Sequence, residues 1–177
     1  MAHPKHNEVR LRYGLRCGYC GVGEVDTGGE LTVDHHRPVS AGGDDRDENL
    51  VYACFRCNLY KGDFFPDAGD TKAGRRVLHP LLDPIPLHLR EHETTGLLEP
   101  QTETGRFHIA LLRLNRPELV KHRLNRRLTQ LLAGYHELLT QENEALRRWS
   151  TNLEAYVRQL ERYLAGESEF GSEWPPP

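Results

Sequence analysis

Residues 31–62 read LTVDHHRPVSAGGDDRDENLVYACFRCNLYKG, and this stretch decides the fold. Apolar and polar side chains alternate from Leu31 to Asp34, and β-branched residues are frequent, which predicts a β-strand over 31–36. A polar loop rich in Gly and Asp follows. An apolar run then leads into a Cys-x-x-Cys sequence. The pattern predicts a strand, a loop, a second apolar segment and the start of a helix.

Four cysteines occur as two pairs of equal spacing, Cys17 with Cys20 and Cys54 with Cys57. Without a leader sequence we expect a reducing compartment, where this spacing favours one tetrahedral Zn²⁺ site over two disulfides. Each pair would lie on a short turn, a knuckle, that points two thiolates at an ion about 2.3 Å away. A redox Cys-x-x-Cys or unligated buried thiols are the alternatives.

One zinc ion bound by both pairs would hold the predicted strand beside the residues that follow Cys57, because a small ribbon offers no other place for them. The same neighbourhood would contain Asp34, His35, Asn49 and Asn58. Carboxylate and amide oxygens suit Mg²⁺ or Mn²⁺, and an imidazole with a pKa near ~6.5 suits the activation of water. These groups are the minimum set for metal-assisted hydrolysis of a phosphodiester.

The chain resembles the ββα-metal motif of HNH endonucleases, in the subgroup stapled by zinc. The matching features occur in order: Cys-x-x-Cys, Asp-His, Pro, Gly-Gly, Asn-Leu, Cys-x-x-Cys-Asn and Lys. They cover residues 17–62 closely, and a looser resemblance continues over 102–123. The resemblance implies an α+β fold, with a small ββα-metal core stapled by a four-cysteine zinc site and a C-terminal long helix or helical hairpin.

The resemblance also assigns roles to single residues. His35 would be the general base that activates water, and Asp34 would be a metal ligand. Asn49 would orient the loop and the base through hydrogen bonds. Asn58 stands where many members have a final His and would be the second ligand of Mg²⁺ or Mn²⁺. Lys61 would neutralise a phosphate near the site.

Two further histidine features need an interpretation. His36 stands where Ile or Val is common, and we expect it to lie on the surface or in packing, with a second phosphate contact as the alternative. The sequence HLREH at 88–92 matches the pattern of inverted zincins, but its flanks DPIP and TTG leave room for a short helix only. A metalloprotease site is therefore disfavoured. We expect His88 and His92 to pack around the core or to touch the phosphate backbone.

The periodicity becomes helical from Pro117, which suits a first helical position, with Asn115 as a candidate cap. Apolar residues then recur at intervals that fit one long helix or a hairpin broken near Gly134. They are Leu124, Leu128, Leu131, Tyr135, Leu138, Ala145, Trp149, Leu153, Tyr156 and Leu160. This stripe either packs on the core or binds a second copy or a partner subunit.

The segment from 113 to 127 is basic, with Glu118 as its single acid. Its cations are Arg113, Arg116, Lys121, Arg123, Arg126 and Arg127. A charge run of this kind is either a solvated helix face or a surface that follows DNA phosphates. Beside a nuclease core we expect the second. No base-reading module is visible, so binding would depend on charge and DNA shape.

The chain has 177 residues, of which 37% are hydrophobic, enough for one modest domain and an appendage. We expect a nuclease core with a basic N-terminal helix over 1–66 and a Pro- and Gly-rich extension over 67–116. A helical DNA-binding or partner segment over 117–165 and a disordered tail over 166–177 would follow.

Net charge is −3, so any DNA-binding surface must be local. The absence of a long apolar run leads us to expect a soluble cytoplasmic protein without a membrane partner. The expected activity is that of a metal-dependent endodeoxyribonuclease that nicks as a monomer and cuts both strands as a dimer. The resemblance to small standalone bacterial members implies antiphage defence. The alternative is a non-catalytic zinc-ribbon adaptor that binds nucleic acid and a protein partner.

Overall fold

The computed structural model describes residues 3–166, and the chain divides after Arg126 into two units, Met1–Arg126 and Arg127–Pro177. The predicted boundaries at 66 and 116 stay predictions. The tail predicted over 166–177 lies, apart from Gly166, outside the described residues. Within 3–166 no helix is both long enough and apolar enough to cross a membrane. The fold is α+β, as predicted, with a long C-terminal helix and a cluster of four cysteines.

Residues 31–62 fold as two antiparallel strands and a helix. These are β1 (Thr32–His35), β2 (Leu50–Ala53) and α3 (Phe55–Lys61). The register pairs Thr32 with Ala53 and His35 with Leu50. All four residues of β2 are buried, whereas β1 buries only Asp34. The loop between the strands contains two short 3-10 turns, Val39–Ala41 and Asp47–Asn49.

Two short helices, α1 (His6–Arg12) and α2 (Glu24–Thr27), flank the first knuckle. Gly21 closes that knuckle by donating its N–H to the Cys17 carbonyl at 2.8 Å. Its φ of 75° is a left-handed conformation that favours glycine. Arg10 donates two hydrogen bonds to Glu24, at 2.6 and 2.7 Å, and Glu24 also accepts from the Tyr52 hydroxyl. These contacts fix α1 and α2 to β2.

The segment between 63 and 116 contains a β-hairpin together with three helices. Its elements are α4 (Ala68–Lys72), α5 (Ile85–His88), β3 (Leu89–Glu91), β4 (Leu98–Pro100) and α6 (Glu103–Leu111). The HLREH sequence is divided between α5 and β3, because α5 ends at His88. The continuous helix that an inverted zincin needs is therefore not formed.

The last element, α7 (Pro117–Leu164), is one helix of 48 residues. It begins at Pro117, as predicted, and continues through Gly134, so the helical hairpin is not formed. The prediction of Asn115 as its cap is wrong. The Asn115 side chain instead accepts from the Leu98 N–H at 2.7 Å and donates to the Leu98 carbonyl at 2.8 Å. The Asn115 side chain therefore forms hydrogen bonds with the backbone of Leu98 in β4 and not with the first N–H groups of α7.

The apolar core of the first unit gathers side chains that are distant in sequence. They come from α1, β2, the turn between α6 and α7, and the first turn of α7. Among them are Val9, Leu50, Val51, Tyr52, Leu112, Leu114 and Leu119. The core therefore lies behind β2, and β1 carries the polar groups of the site described next.

Candidate active site and metal centres

The four cysteines converge on one point. Their Sγ atoms all lie within 4.8 Å of one another, and those of Cys20 and Cys54 are 3.8 Å apart. All four are free thiols, since a disulfide would need a distance near ~2.05 Å. Tetrahedral zinc with bonds of about 2.3 Å separates its sulfur ligands by about 3.8 Å. The cluster therefore fits a closed four-coordinate metal site.

The start of α3 sets the spacing of the second cysteine pair, and a cation lies beside one of its sulfurs. Cys54 precedes α3 and Cys57 lies in its first turn, so the second pair is spaced by one helical turn. Hydrogen bonds with the neighbouring thiols, Cys17 first, lower the pKa of the Cys54 thiol. An Arg116 amino group (Nη2) lies 4.0 Å from the Cys57 sulfur. A cation at this distance favours the thiolate form that a metal needs.

Asp34 is buried on β1, with 6% of its surface exposed. The Tyr19 hydroxyl donates to its Oδ2 at 2.7 Å, and the Lys61 ammonium donates to its Oδ1 at 3.0 Å. Burial raises the pKa of the Asp34 carboxyl, while Lys61 and Tyr19 act in the opposite direction. Tyr19 stands between Cys17 and Cys20, so the first knuckle and the carboxylate are joined by one side chain.

His35 follows Asp34 on β1, and its Nε2 lies 2.7 Å from Oδ1 of Asp45 in the loop. That loop is held by Asn49. The Asn49 side chain accepts from the Arg37 N–H at 2.7 Å and donates to the Asp44 carbonyl at 2.8 Å. The Asn49 carbonyl accepts from the backbone N–H that follows His35 at 2.8 Å. The loop orientation expected of Asn49 therefore has a concrete set of contacts.

One open cavity of about 270 Å³ brings together all the residues predicted for catalysis and for the Mg²⁺ or Mn²⁺ ion except Asn49, which lines a different cavity. Its lining includes Asp34, His35, Asn58 and Lys61. A larger groove of about 860 Å³ lies on the side of the zinc knuckles and the 26–32 loop, and Asn58 lines it too. The smaller cavity is the candidate site, because it brings a carboxylate, an imidazole and an amide to the same space beside β1.

The comparison with protein families agrees with this geometry. Residues 17–64 match the family described as HNH endonuclease. By this match residues 17–64 are similar to HNH endonucleases, and they are called the HNH domain below. No curated protein and no solved structure matches the chain. The HNH domain thus includes both knuckles, β1, β2, α3 and the four groups of the small cavity.

Lys61 has a different contact from the one we predicted. It is 2% exposed, and its ammonium group donates to Asp34, to the His35 carbonyl at 2.7 Å and to the Gly62 carbonyl at 3.3 Å. All three ammonium protons are engaged within the HNH domain. A direct phosphate contact is therefore not what the structure shows, because the partner charge that Lys61 neutralises is Asp34.

His36 is a packing residue in this structure. Its ring lies 4.7 Å from the ring of His79, in an edge-on arrangement. Burial lowers the pKa of His36 to about 4 and also lowers that of His79. A neutral, partly buried imidazole gives a phosphate no charge to bind, so packing is the better of the two predicted interpretations.

The basic segment does not form one solvent-exposed face. Arg123 is 3% exposed and donates to the carbonyls of Gly96 and Leu114, so the prediction that it follows DNA phosphates does not agree with its position. Arg126 pairs with Glu91 at 2.6 Å. Arg113 lies over the Tyr60 ring at 4.7 Å. The remaining cations of the segment are Arg116, Lys121 and Arg127, and Lys121 is exposed.

Sequence reasoning missed two residues that contact the site, Tyr19 and Asp45. Tyr19 lies inside the Cys-x-x-Cys sequence, where attention goes to the thiols, and its partner is 15 residues away. Asp45 is one of several acids in a polar loop. A tyrosine inside a knuckle is a usable signal, since its hydroxyl needs a partner once the ring is buried. Nothing in the sequence distinguishes Asp45 from Asp44 or Asp47.

Proposed function

We propose that this protein is a metal-dependent endonuclease that hydrolyses phosphodiester bonds in DNA. The observation that carries the proposal is the small cavity of an HNH domain in which Asp34, His35 and Asn58 face one space. These are an oxygen ligand, a base and a second oxygen ligand, the set that metal-assisted hydrolysis requires. DNA is the proposed substrate because nuclease chemistry is what this domain suggests.

The residues fit a hard divalent cation. An ionised carboxylate has about four lone-pair sites. Tyr19 and Lys61 use one on each oxygen of Asp34, so each oxygen keeps a lone pair for a metal. Asp34 and Asn58 would hold Mg²⁺ or Mn²⁺, both of which accept carboxylate and amide oxygens. Such an ion stabilises the charge that develops on the phosphate and on the leaving oxygen.

The remaining steps belong to the side chains. His35 removes a proton from a water molecule, and the resulting hydroxide attacks the phosphorus. The bond from phosphorus to the opposite ester oxygen breaks, and that oxygen leaves with the chain it belongs to. Asn49 holds the loop that carries the partner of His35. We place Zn²⁺ at Cys17, Cys20, Cys54 and Cys57, where it stabilises the fold and takes no part in the reaction.

A second copy of the chain is the proposed partner. From Leu132 onwards five leucines recur at intervals of seven residues, at 132, 139, 146, 153 and 160. Aromatic side chains occur three residues after four of these leucines, at 135, 149, 156 and 163. A seven-residue repeat with apolar residues at these two positions is the pattern of a coiled coil. Leu132, Leu146 and Trp149 are 59%, 58% and 64% exposed. Two paired chains would supply one site for each DNA strand.

DNA contact by the cations of residues 113–127 stays a proposal, and Lys121 is its strongest member because the residue is exposed. We extend the proposal to antiphage defence in bacteria, on the resemblance to small standalone HNH proteins. Free thiols arranged for a metal are stable in a reducing compartment, which supports the cytoplasm.

A non-catalytic adaptor is the second candidate, and one observation favours it. Both oxygens of Asp34 are already hydrogen-bonded, so the HNH domain is stable at this point without a catalytic ion. An adaptor would use the zinc ribbon for nucleic acid and α7 for a partner protein.

The test is cleavage of supercoiled plasmid with Mg²⁺ and with Mn²⁺, comparing wild type with His35→Ala. His136→Ala is the matched control, because this histidine is exposed on α7. Zinc content, thermal unfolding and DNA binding are measured for each protein. An endonuclease loses nicking in His35→Ala only, with folding and binding unchanged. If zinc-loaded, folded wild type cuts nothing, or if His35→Ala cuts as fast as wild type, the proposed function is wrong.

A further inference from the structure

One carboxylate oxygen of Asp45 lies within hydrogen-bonding distance of two imidazole rings. Its Oδ1 lies 2.7 Å from Nε2 of His35 and 3.3 Å from Nε2 of His3. The Asp45 side chain is 65% exposed, whereas those of His35 and His3 are 20% and 17% exposed. An exposed carboxylate that gathers two partly buried imidazoles is not needed for the core, so its function should lie with the histidines.

The protons in this cluster can be assigned from chemistry. An aspartate has a pKa near ~3.9, and hydrogen bonds from His35 and then His3 lower the pKa of Asp45 further. The carboxylate at neutral pH has no proton and can only accept. A hydrogen bond from His35 to Asp45 therefore requires the proton of neutral His35 to be on Nε2. The other ring nitrogen, Nδ1, then carries the lone pair.

The proton of His3 can be placed in the same way. Its Nδ1 accepts the backbone N–H of Lys5 at 3.1 Å, so the proton of the neutral ring is on Nε2 and points to Asp45. A metal held by His3, His35 and Asp45 would need lone pairs on both Nε2 atoms. The Lys5 contact is incompatible with that for a neutral His3. The three side chains form a hydrogen-bonded cluster, with Asp45 as the shared acceptor.

The position of the cavity determines which nitrogen of His35 faces the reaction. His35 lines the 270 Å³ cavity beside Asp34 and Asn58, and Asp45 is not among its lining residues. The Nε2 edge of the ring is thus engaged outside the cavity. Nδ1 is the nitrogen left for a water molecule inside it.

We propose that Asp45 is a positioning residue that fixes the tautomer and the orientation of His35, so that Nδ1 presents its lone pair to the water that is activated. The inference rests on the proposed nuclease function for its catalytic consequence but not for the tautomer itself. With Nδ1 protonated in its place, the ring could not accept a proton from that water. Asp45 therefore controls which fraction of the enzyme holds a competent base.

The experiment uses the zinc-loaded full chain labelled with ¹⁵N at its histidines. Long-range ¹H–¹⁵N NMR spectra at pH 8 distinguish the two neutral tautomers, and His35→Ala identifies the His35 signals. The variants are Asp45→Ala, Asp45→Asn and Asp45→Glu. Asp44→Asn is the matched control, since the Asp44 side chain pairs with Arg46 and the contact to Asn49 is made by its backbone carbonyl.

We expect wild type and Asp44→Asn to show His35 with its proton on Nε2, and Asp45→Ala and Asp45→Asn to show a mixture. The kcat of plasmid nicking should fall roughly ten- to hundredfold in those two variants, because part of the enzyme holds the wrong tautomer and the ring also loses its fixed orientation and the carboxylate that stabilises the imidazolium. KM should stay within about twofold of wild type, since no DNA contact is lost. Asp45→Glu should restore both the tautomer and part of kcat.

Asp45→Ala with the wild-type tautomer overturns the inference, whatever its activity. A mixed tautomer with unchanged kcat overturns the catalytic part of it. If wild type cuts no DNA under any condition, the proposed function fails. The NMR comparison then still decides whether Asp45 sets the tautomer of His35.

Discussion

The two units of this chain differ in which side chains they bury, since the first buries charged groups and the second exposes apolar ones. In the first unit Asp34, Lys61 and Arg123 are each less than a tenth exposed and hold one another or the backbone. In the second, no residue between 127 and 166 is buried, and leucines and a tryptophan are more than half exposed. The buried charges of the first unit thus have partners within that unit. The second unit exposes an apolar face along its seven-residue repeat.

The largest effect should come from the metal centre. Removing one ligand with Cys57→Ser should abolish zinc binding and unfold the HNH domain, because structural zinc contributes roughly 10–16 kcal/mol in small zinc domains. The measurement is zinc content together with near-ultraviolet circular dichroism, which reports packing in the core. Helical signal and self-association of α7 should persist. A variant without zinc that still unfolds cooperatively at the wild-type temperature would contradict the prediction.

The second prediction concerns the second unit and tests whether its apolar repeat mediates self-association. Leu146→Glu with Leu153→Glu should abolish self-association, since four leucines across two chains contribute about 6 kcal/mol or more when buried. Sedimentation velocity measures the change. Thr140→Glu with Thr151→Glu is the control, because these residues lie off the repeat and receive the same charges. Equal dissociation in both double variants, or a monomeric wild type, would contradict pairing through this face.

The buried ion pair of the first unit comes next. Asp34→Ala leaves the Lys61 ammonium buried without its carboxylate, and we expect a loss of about 3–5 kcal/mol in the free energy of unfolding by urea. Lys61→Met should cost a similar amount, and the double variant should cost less than the sum of the two. Additive losses would show that the two groups do not stabilise each other. Glu118→Ala, an exposed acid of α7, is the comparison variant.

Acid should act on the first unit through His108. The ring is 2% exposed, and burial lowers its pKa to about 3, below the ~6.5 of an unfolded chain. Below pH ~6.5 the unfolded chain binds a proton at His108, whereas the folded chain keeps the ring neutral down to a much lower pH. The contribution of the neutral ring to the free energy of unfolding is therefore complete above pH ~6.5 and is lost as the pH falls. We expect a loss on the order of 2 kcal/mol between pH 7 and pH 5.

His108→Gln and His136→Gln separate this contribution from general acid effects. The Gln oxygen can still accept the Leu78 N–H that bonds to His108 at 3.0 Å. Urea unfolding at the two pH values should show a smaller difference in His108→Gln, and an unchanged difference in the exposed His136→Gln. An identical pH dependence in all three proteins would assign the effect to other groups.

The smallest effect belongs to the second unit. An added Cβ at Gly134 would meet nothing within 4 Å, so Gly134→Ala should stabilise α7 by about 1 kcal/mol through helix propensity. Thermal melting followed at 222 nm measures it, and Ala133→Gly should show the reverse change. Destabilisation by the alanine would mean that another chain approaches the backbone at this position.

The sequence predicted the parts of the molecule that depend on local pattern. Alternation gave β1, the paired cysteines gave the metal cluster, and the zinc expected to tie both pairs together brought Asp34, His35 and Asn58 into one neighbourhood. The position of Pro117 gave the start of α7. Each of these features follows from the intervals between residues in the sequence, which do not depend on the tertiary structure.

The parts that it could not predict depend on what a side chain meets in space. Lys61 and Arg123 look like surface cations, but each is buried against oxygens that other segments supply. Tyr19 reaches a carboxylate that its own knuckle does not contain. Whether a charged side chain is buried depends on the groups that it meets in the fold, and the spacing of residues along the sequence does not identify those groups.

Because Lys61 pairs with Asp34, the net charge of the proposed site depends on whether a metal ion is bound. In the proposed enzyme the two charges cancel, so an ion-free site has no net attraction for a DNA phosphate. A divalent cation held by Asp34 would add a double positive charge that the pair leaves uncompensated. In the proposed enzyme the ion would therefore bind first and the phosphate after it. The buried lysine would act as a resident counter-charge that makes DNA binding at the cleavage site depend on the ion.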